Sequence, residues 1–285
     1  MRNLARLVCA TLIMAFMSAP GVAAACTLWA GAGESVAGGG TLIAKNRDWA
    51  PDHQQQIRLI TPKRGYRLIA LYAVGNRHEG TKAGINEKGL VAVSASPPRH
   101  LAARENYQGK TSMRTMLTRY DSVAAALEAL DRGEWVCGPE YLMLADGKEV
   151  ACIEFAAGGA YEVVARTAAG VAFHTNHYLA PRLADLNKGK LASSMKRCAR
   201  IEELLADKAV HDTDDFRRYS ADSVLWRTGD APAAARTLAS WIIRQPRDGS
   251  AILYLKMANP GMPVAEYEFA VDDLFAGRVD LARIE

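Results

Sequence analysis

The sequence predicts an α+β fold with mostly antiparallel sheets, and three observations carry the prediction. Short apolar runs bounded by glycine or proline turns fill most of the chain. Two segments show clear helical spacing of apolar residues after a capping residue. The elements run as strands, helix, strands, helices and strands, with no internal repeat and no low-complexity linker.

The elements follow in chain order. Residues 26–32 and 41–49 read as two apolar strands joined by the Gly38-Gly39-Gly40 turn. Strands follow at 57–60 and 66–74, separated by the turn at 62–65. The tight turn Gly84-Ile85-Asn86-Glu87-Lys88-Gly89 leads into a buried run at 90–95, which Pro97-Pro98 ends. Asp121 can cap a helix whose apolar face is Val123, Ala126, Leu127 and Leu130. A meander of strands follows at 141–144, 150–155, 161–164 and 171–175. Ser193 or Ser194 can cap a second helix, with Met195, Cys198, Ile201 and Leu205 on its inner stripe. A helical stretch at 232–242 precedes closing strands at 252–257 and 266–270.

With 285 residues, 49% hydrophobic and 23% charged, the chain has the composition of an ordinary globular protein. Its formal charge of +4 is mild, and no Lys/Arg run is dense enough for a nucleic-acid partner. The first 25 residues differ in kind. Arg2 and Arg6 precede a short apolar run at 7–17, Pro20-Gly21 breaks it, and Ala23-Ala24-Ala25 offers the small residues that a signal peptidase reads. Residues 1–25 are therefore expected to be a signal peptide, and 26–285 a single domain, periplasmic or secreted, without stable membrane insertion after cleavage. Cys9 leaves with that segment. Of the remaining thiols, Cys137 and Cys152 are the pair that a short hairpin could bridge.

Cleavage after Ala25 would put an α-amine and a thiol on the same residue, Cys26. The thiolate is the nucleophile and needs a base. An α-amine, with an ordinary pKa of about 7.7–8.0, supplies one near neutral pH. Two other readings share the small-residue tract: a lipoprotein signal, which would block the thiol with lipid and make an anchored binding protein, and a cut one residue earlier.

The next motifs favour chemistry. Cys26-Thr27 opens a strand, and Lys45-Asn46-Arg47-Asp48-Trp49 closes the returning one. Gly84-Ile85-Asn86-Glu87-Lys88-Gly89-Leu90, Thr175-Asn176 and Ser193-Ser194-Met195-Lys196-Arg197 follow in order. Together they resemble the cysteine N-terminal-nucleophile (Ntn) hydrolases, a group including penicillin V acylases, bile salt (choloylglycine) hydrolases and acyl-coenzyme A:6-aminopenicillanate acyltransferases. The matches span Cys26 to Arg197. The resemblance implies a four-layer αββα sandwich and assigns catalytic roles to Cys26, Asp48, Asn176 and Arg197. Asp48 would hold the cysteine and its amine, Asn176 would donate to the oxyanion, and Arg197 would favour the thiolate. Lys45 stands where the bile salt hydrolases have a site arginine and is the candidate substrate-binding cation; it keeps the charge and loses the planar fork. Ser96 falls where relatives place a second oxyanion donor, which leaves that donor unassigned. The Asn86 turn is read as structural.

The expected reaction is cleavage of a linear amide through a Cys26 thioester, with a small-molecule N-acyl amide as partner, no organic cofactor and no metal. His174 and His177, three apart on a strand, fall on opposite faces and make a poor metal pair. Acyl transfer to an amine and a cysteine dipeptidase remain as alternatives within the fold. Trp29, Trp49 and Tyr178 lie next to the motifs and suit either an acyl pocket or core packing. The identity of the acyl amide and the oligomeric state are not written in the sequence.

Overall fold

Alternation along the strands decides the layering. In β1 (Thr27–Ala32), Leu28, Ala30 and Ala32 point into one core while Trp29 points to another. In β2 (Thr41–Trp49), Ile43 joins the first core and Leu42 and Ala44 the second. Successive side chains leave opposite faces of a strand, so a sheet buried on both sides needs apolar residues at every position. The two strands pair antiparallel with Trp29 opposite Ala44. The turn between them depends on Gly40: its φ is +79°, and a Cβ there would lie 2.1 Å from the Gln245 carbonyl oxygen.

The computed structural model describes residues 25–75, 78–97, 112–189, 191–229, 231–232 and 234–284. The expected signal peptide, apart from Ala25, lies outside them. A six-stranded sheet has the order β10-β1-β2-β11-β12-β13, adding β10 (Gly170–His174), β11 (Arg236–Gln245), β12 (Ile252–Met257) and β13 (Ala265–Ala270). A seven-stranded sheet runs in sequence order. It comprises β3 (His53–Ile60), β4 (Leu68–Gly75), β5 (Gly80–Asn86), β6 (Val91–Ala95), β7 (Glu140–Ala145), β8 (Val150–Phe155) and β9 (Tyr161–Thr167). Every pair of neighbouring strands is antiparallel.

The sheets pack face to face. Leu28, Ile43, Trp241 and Leu255 of one meet Ile69, Leu71, Val93 and Met143 of the other. Each such aliphatic side chain contributes roughly 1.5–3 kcal/mol by leaving water. Helices α1 (Met113–Arg119) and α2 (Val123–Asp131) cover the outer face of the seven-stranded sheet through Met116, Leu117, Ala126 and Leu130. Helices α3 (Ala192–Ala206) and α4 (Thr213–Ser220) cover the other through Ile201, Leu205, Phe216 and Tyr219. A short α5 (Val271–Phe275) closes the edge of the inter-sheet core. The result is the αββα sandwich. The Asn86 turn is structural: Asn86 Nδ2 donates to the Leu117 and Tyr120 carbonyls and so ties the turn to α1.

Several expectations are corrected. Residues 236–245, which overlap the stretch 232–242 expected to be helical, form β11 at the centre of the six-stranded sheet. Ser122, not Asp121, caps α2, its hydroxyl accepting from the Ala125 N–H; Asp121 accepts from that hydroxyl. Neither Ser193 nor Ser194 caps α3, which starts at Ala192 after Leu191. No disulfide joins Cys137 and Cys152. The β7–β8 hairpin does form, but Cys152 faces the inter-sheet core and Cys137 the helix-covered core, so the sheet itself separates them.

Candidate active site

Cys26 precedes β1 and is buried, its Sγ 3.9 Å from the Asp48 carbonyl oxygen. The period of two then sorts the closing motif of β2. Lys45 and Arg47 face the seven-stranded sheet, while Asn46 and Asp48 face the helical layer of α3 and α4. One short strand segment thus reaches the cysteine from both sides.

On the helical side, Asp48 is fully buried. Its Oδ1 accepts from the Thr237 hydroxyl at 2.7 Å, while Oδ2 has no hydrogen-bond partner among the described residues. Burial pushes the Asp48 carboxyl up to about 6, against the opposing pull of Arg197 and Thr237. Arg197, projecting from α3, is equally enclosed. Its Nη1 donates to the Cys26 carbonyl at 2.6 Å and to Thr27 Oγ1 at 2.9 Å, and its Nη2 to Asn176 Oδ1 at 2.9 Å. Burial lowers the Arg197 guanidinium, with Asp48 and then Cys26 opposing. The guanidinium therefore acts as a clamp that ties the start of β1 to Asn176, and its hydrogen bonds go to the Cys26 carbonyl, Thr27 and Asn176 rather than to the sulfur.

Asn176 lies just past the end of β10 and is held on three sides. Its backbone N–H donates to Ser194 Oγ at 2.8 Å, Oδ1 accepts from Arg197, and Nδ2 donates to the Ser96 carbonyl at 2.7 Å. The side-chain amide retains one N–H beyond the bond to Ser96. Ser96 enters through its carbonyl, as an orienting acceptor. Ser194 owes its place to the first turn of α3, from which its hydroxyl also meets Thr175 Oγ1 at 2.9 Å and His177 Nδ1 at 2.8 Å.

On the inter-sheet side, Lys45 donates to the Lys82 carbonyl at 2.6 Å and to the Ser94 carbonyl. Burial brings the Lys45 ammonium down to about 8, with Cys26 opposing. The expected substrate-binding cation is thus a buried brace between the sheets. Arg47, which sequence reasoning did not select, stands closer to the chemistry. Its guanidinium acts electrostatically on Cys26, and its Nη1 donates at 3.1 Å to the Asp48 carbonyl, the oxygen that lies 3.9 Å from Cys26 Sγ. Nη2 lies 3.4 Å from His53 Nδ1, and the group sits 4.5 Å over the Trp49 ring, which stacks on His53. The signal was available: Arg47 is two residues from Lys45 on one strand and must share its face.

Of the aromatic candidates, Trp29 packs against Phe216 in the helical core and Tyr178 against Tyr141 between the sheets, so both serve packing. Trp49 alone borders the site, under Arg47. His174 pairs with Glu154 at 2.7 Å, whereas His177 bonds Ser194.

The architecture recurs in solved structures. A variant of conjugated bile acid hydrolase from Clostridium perfringens superposes with a TM-score of 0.55 at 15% identity, covering 86% of this chain and 97% of that one. The Caenorhabditis elegans ortholog of N-acylethanolamine-hydrolyzing acid amidase gives 0.52 at 12% identity, covering 87% and 96%. At such identities the likeness is one of fold, and the fold is that of the Ntn hydrolases. Among curated proteins, no sequence matches the chain. The model of the acyl-coenzyme A:6-aminopenicillanic acid acyl-transferase family, however, matches residues 36–259, most of its length. The chain belongs to that family.

Proposed function

We propose that this protein is an exported cysteine amidohydrolase that cleaves a linear acyl amide through an N-terminal Cys26. The observation that carries the reading is Asp48: a buried carboxylate beside Cys26 with one oxygen held by Thr237 and the other without a hydrogen-bond partner among the described residues. A buried, half-satisfied carboxylate is costly and persists where a cation is meant to meet it. Removal of residues 1–25 would supply that cation as the α-amine of Cys26. Two solved neighbours of the same fold are, by name, amide hydrolases, which supports the class.

The steps follow from the groups in place. The Cys26 α-amine takes the thiol proton, and the sulfur attacks the amide carbonyl carbon. The oxygen gains a negative charge, which the second N–H of Asn176 and a backbone N–H receive. Arg47 and Arg197 make the potential around the sulfur and the start of β1 more positive, which favours the thiolate. Collapse breaks the C–N bond, and the leaving amine takes the proton back from the α-ammonium. Water, deprotonated by the same amine, then cleaves the thioester, releasing a carboxylic acid and restoring the thiol.

The family's own name favours a second reading, in which an acceptor amine rather than water captures the thioester. The product mixture separates them: hydrolysis yields the free acid even when an acceptor amine is present. The broader test joins intact mass with assay. The secreted protein should begin at an unblocked Cys26, release amine from a panel of N-acyl amides, and lose that activity in Cys26→Ala while remaining folded. A diacylglyceryl adduct on Cys26, or full turnover in Cys26→Ala, removes the proposal.

A further inference from the structure

Behind Asn176 lies a junction of hydroxyls and an imidazole that the reaction steps do not use. Ser194 Oγ accepts from the Asn176 backbone N–H at 2.8 Å, and it lies 2.9 Å from Thr175 Oγ1 and 2.8 Å from His177 Nδ1. The Thr175 hydroxyl donates to the Ser194 carbonyl at 3.1 Å. A longer contact of 3.2 Å joins His177 Nδ1 to Thr175 Oγ1. Thr175 and Ser194 are buried and His177 is half-buried. A hydroxyl has one hydrogen to give and two lone pairs to receive with. The hydrogens of this junction can therefore be counted.

Three contacts each need one: Thr175 to the Ser194 carbonyl, Thr175 to Ser194 Oγ, and Ser194 Oγ to His177 Nδ1. The two hydroxyls supply two, so the third must come from Nδ1. With it in place, Thr175 donates to the carbonyl and Ser194 to Thr175. Both lone pairs of Ser194 are then taken, one by the Asn176 N–H and one by the His177 N–H. A lone pair on Nδ1 would leave one close contact without a hydrogen, and an unmet polar group in the interior is costly. The bonds that a histidine ring makes decide which nitrogen carries the hydrogen. Positive charge is not its source. Burial lowers the His177 pKa, His174 of β10 and Arg197 of α3 act in the same direction, and Glu154 of β8 opposes them. Near neutral pH the ring is thus uncharged.

Resting on the amidohydrolase reading, we propose that His177 is a positioning residue for that reaction: its neutral ring carries the hydrogen on Nδ1 and, through Ser194, locks the main chain at Asn176, whose side chain receives the oxyanion. Ser194 cannot turn its lone pair away from the Asn176 N–H while His177 and Thr175 occupy the rest of its hydroxyl. A neutral ring achieves this without setting a further positive charge beside Arg197.

Two readouts test this, and the first needs no turnover. NMR correlation of histidine ring protons with ring nitrogens, on the full chain labelled at histidine, should show His177 at pH 7.5 with a hydrogen on Nδ1 and none on Nε2. The signal is assigned by its loss in His177→Asn. A hydrogen on Nε2 alone, or on both nitrogens, overturns the proposal. The second readout is kinetic. His177→Asn keeps an N–H near the place of Nδ1 and should hold kcat within about twofold, whereas His177→Gln carries its amide one bond too far and should lower kcat about fivefold with KM little changed. In a Ser194→Ala background His177→Gln should cost nothing more, because residues acting through one contact are not additive. Equal kcat in His177→Asn and His177→Gln, or additive losses in the double variant, overturn the positioning role. The kcat–pH profiles of parent and His177→Asn should coincide. An ionisation in the parent that His177→Asn lacks would mean that the hydrogen arrives with the charge, which also overturns the proposal. A chain that shows the Nδ1 hydrogen yet releases amine from no N-acyl amide refutes the amidohydrolase reading and leaves the junction standing.

Discussion

Among the described residues two carboxylates, Asp48 and Glu154, are fully buried, and they are treated in opposite ways. Glu154, on β8, is satisfied throughout. Its Oε1 meets His174 Nε2 at 2.7 Å and the Leu179 N–H at 2.5 Å, and its Oε2 accepts from the Ala180 N–H at 3.2 Å. Asp48 has one oxygen on Thr237 and the other without a hydrogen-bond partner among the described residues. A complete set of partners marks a group that holds the fold, here the segment that follows β10. An incomplete set marks a group whose partner arrives later. The contrast explains why both are retained in the interior, where an unpaired charge is strongly unfavourable.

The comparison predicts substitutions of opposite character. Asp48→Asn keeps an acceptor for Thr237 and removes the charge that would hold the Cys26 α-ammonium. Turnover should fall by at least about a hundredfold, on the order of 3 kcal/mol of transition-state stabilisation. Steady-state kinetics on any cleaved amide measures it, and a loss below about fivefold would break the functional half of the contrast. Glu154→Gln should act on the fold instead. It sets an amide NH2 against the N–H groups that the carboxylate accepts, at a cost of about 3 kcal/mol and roughly 6 °C in Tm. Thermal unfolding unchanged by this substitution would show that Glu154 does not hold the segment after β10.

The sequence made the layers and most site positions legible, for a physical reason: strands buried on one or both faces, glycine turns and capped helices leave local marks. β2, β8 and β12 have the bounds read from their apolar runs. β11 was misread because it is buried on both faces, so its run carries no alternation, and Leu238, Trp241 and Ile242 fall at helical spacing after an alanine-rich stretch. Its place between β2 and β12 is a tertiary fact. Asp48, Asn176 and Arg197 were found through motif order, and they do converge at Cys26. Thr237, the partner of Asp48, lies 189 residues away along the chain and has no local signature. Arg47 was overlooked although strand periodicity placed it beside Lys45.

A smaller effect sharpens the contrast through pH. In the full chain, with Ala25 still attached to Cys26, burial raises the Asp48 pKa from 3.8 to about 6. A raised carboxyl means that the folded state holds its proton more tightly than the unfolded state does. The associated stability is fully present below pH about 4 and is lost as pH rises through 6, by about 3 kcal/mol at most. Asp48→Asn removes that loss. The variant should match the parent in stability near pH 4 and exceed it by about 1–3 kcal/mol at pH 7.5, as denaturant unfolding of the uncleaved chain would measure. A variant less stable than its parent at pH 7.5 would mean that the Asp48 charge is already compensated.

The smallest effect concerns the segment that joins the two regions. Residues 174–180 are anchored at His174, Leu179 and Ala180 by Glu154, while Asn176 between them is held by Ser194, Arg197 and the Ser96 carbonyl. Ser194→Ala removes the acceptor of the Asn176 N–H and leaves the other two contacts in place. Ser194 Oγ also meets Thr175 Oγ1 and His177 Nδ1, so if Glu154 fixes the backbone of this segment on its own, stability should fall by about 1–3 kcal/mol, the scale of a few neutral hydrogen bonds. Turnover should then fall about three- to tenfold, in kcat rather than KM, because a loosened Asn176 weakens an interaction made mainly in the transition state. A loss in kcat as large as that of Asp48→Asn would instead show that the Glu154 anchor does not reach Asn176, and that Ser194 alone sets the oxyanion donor.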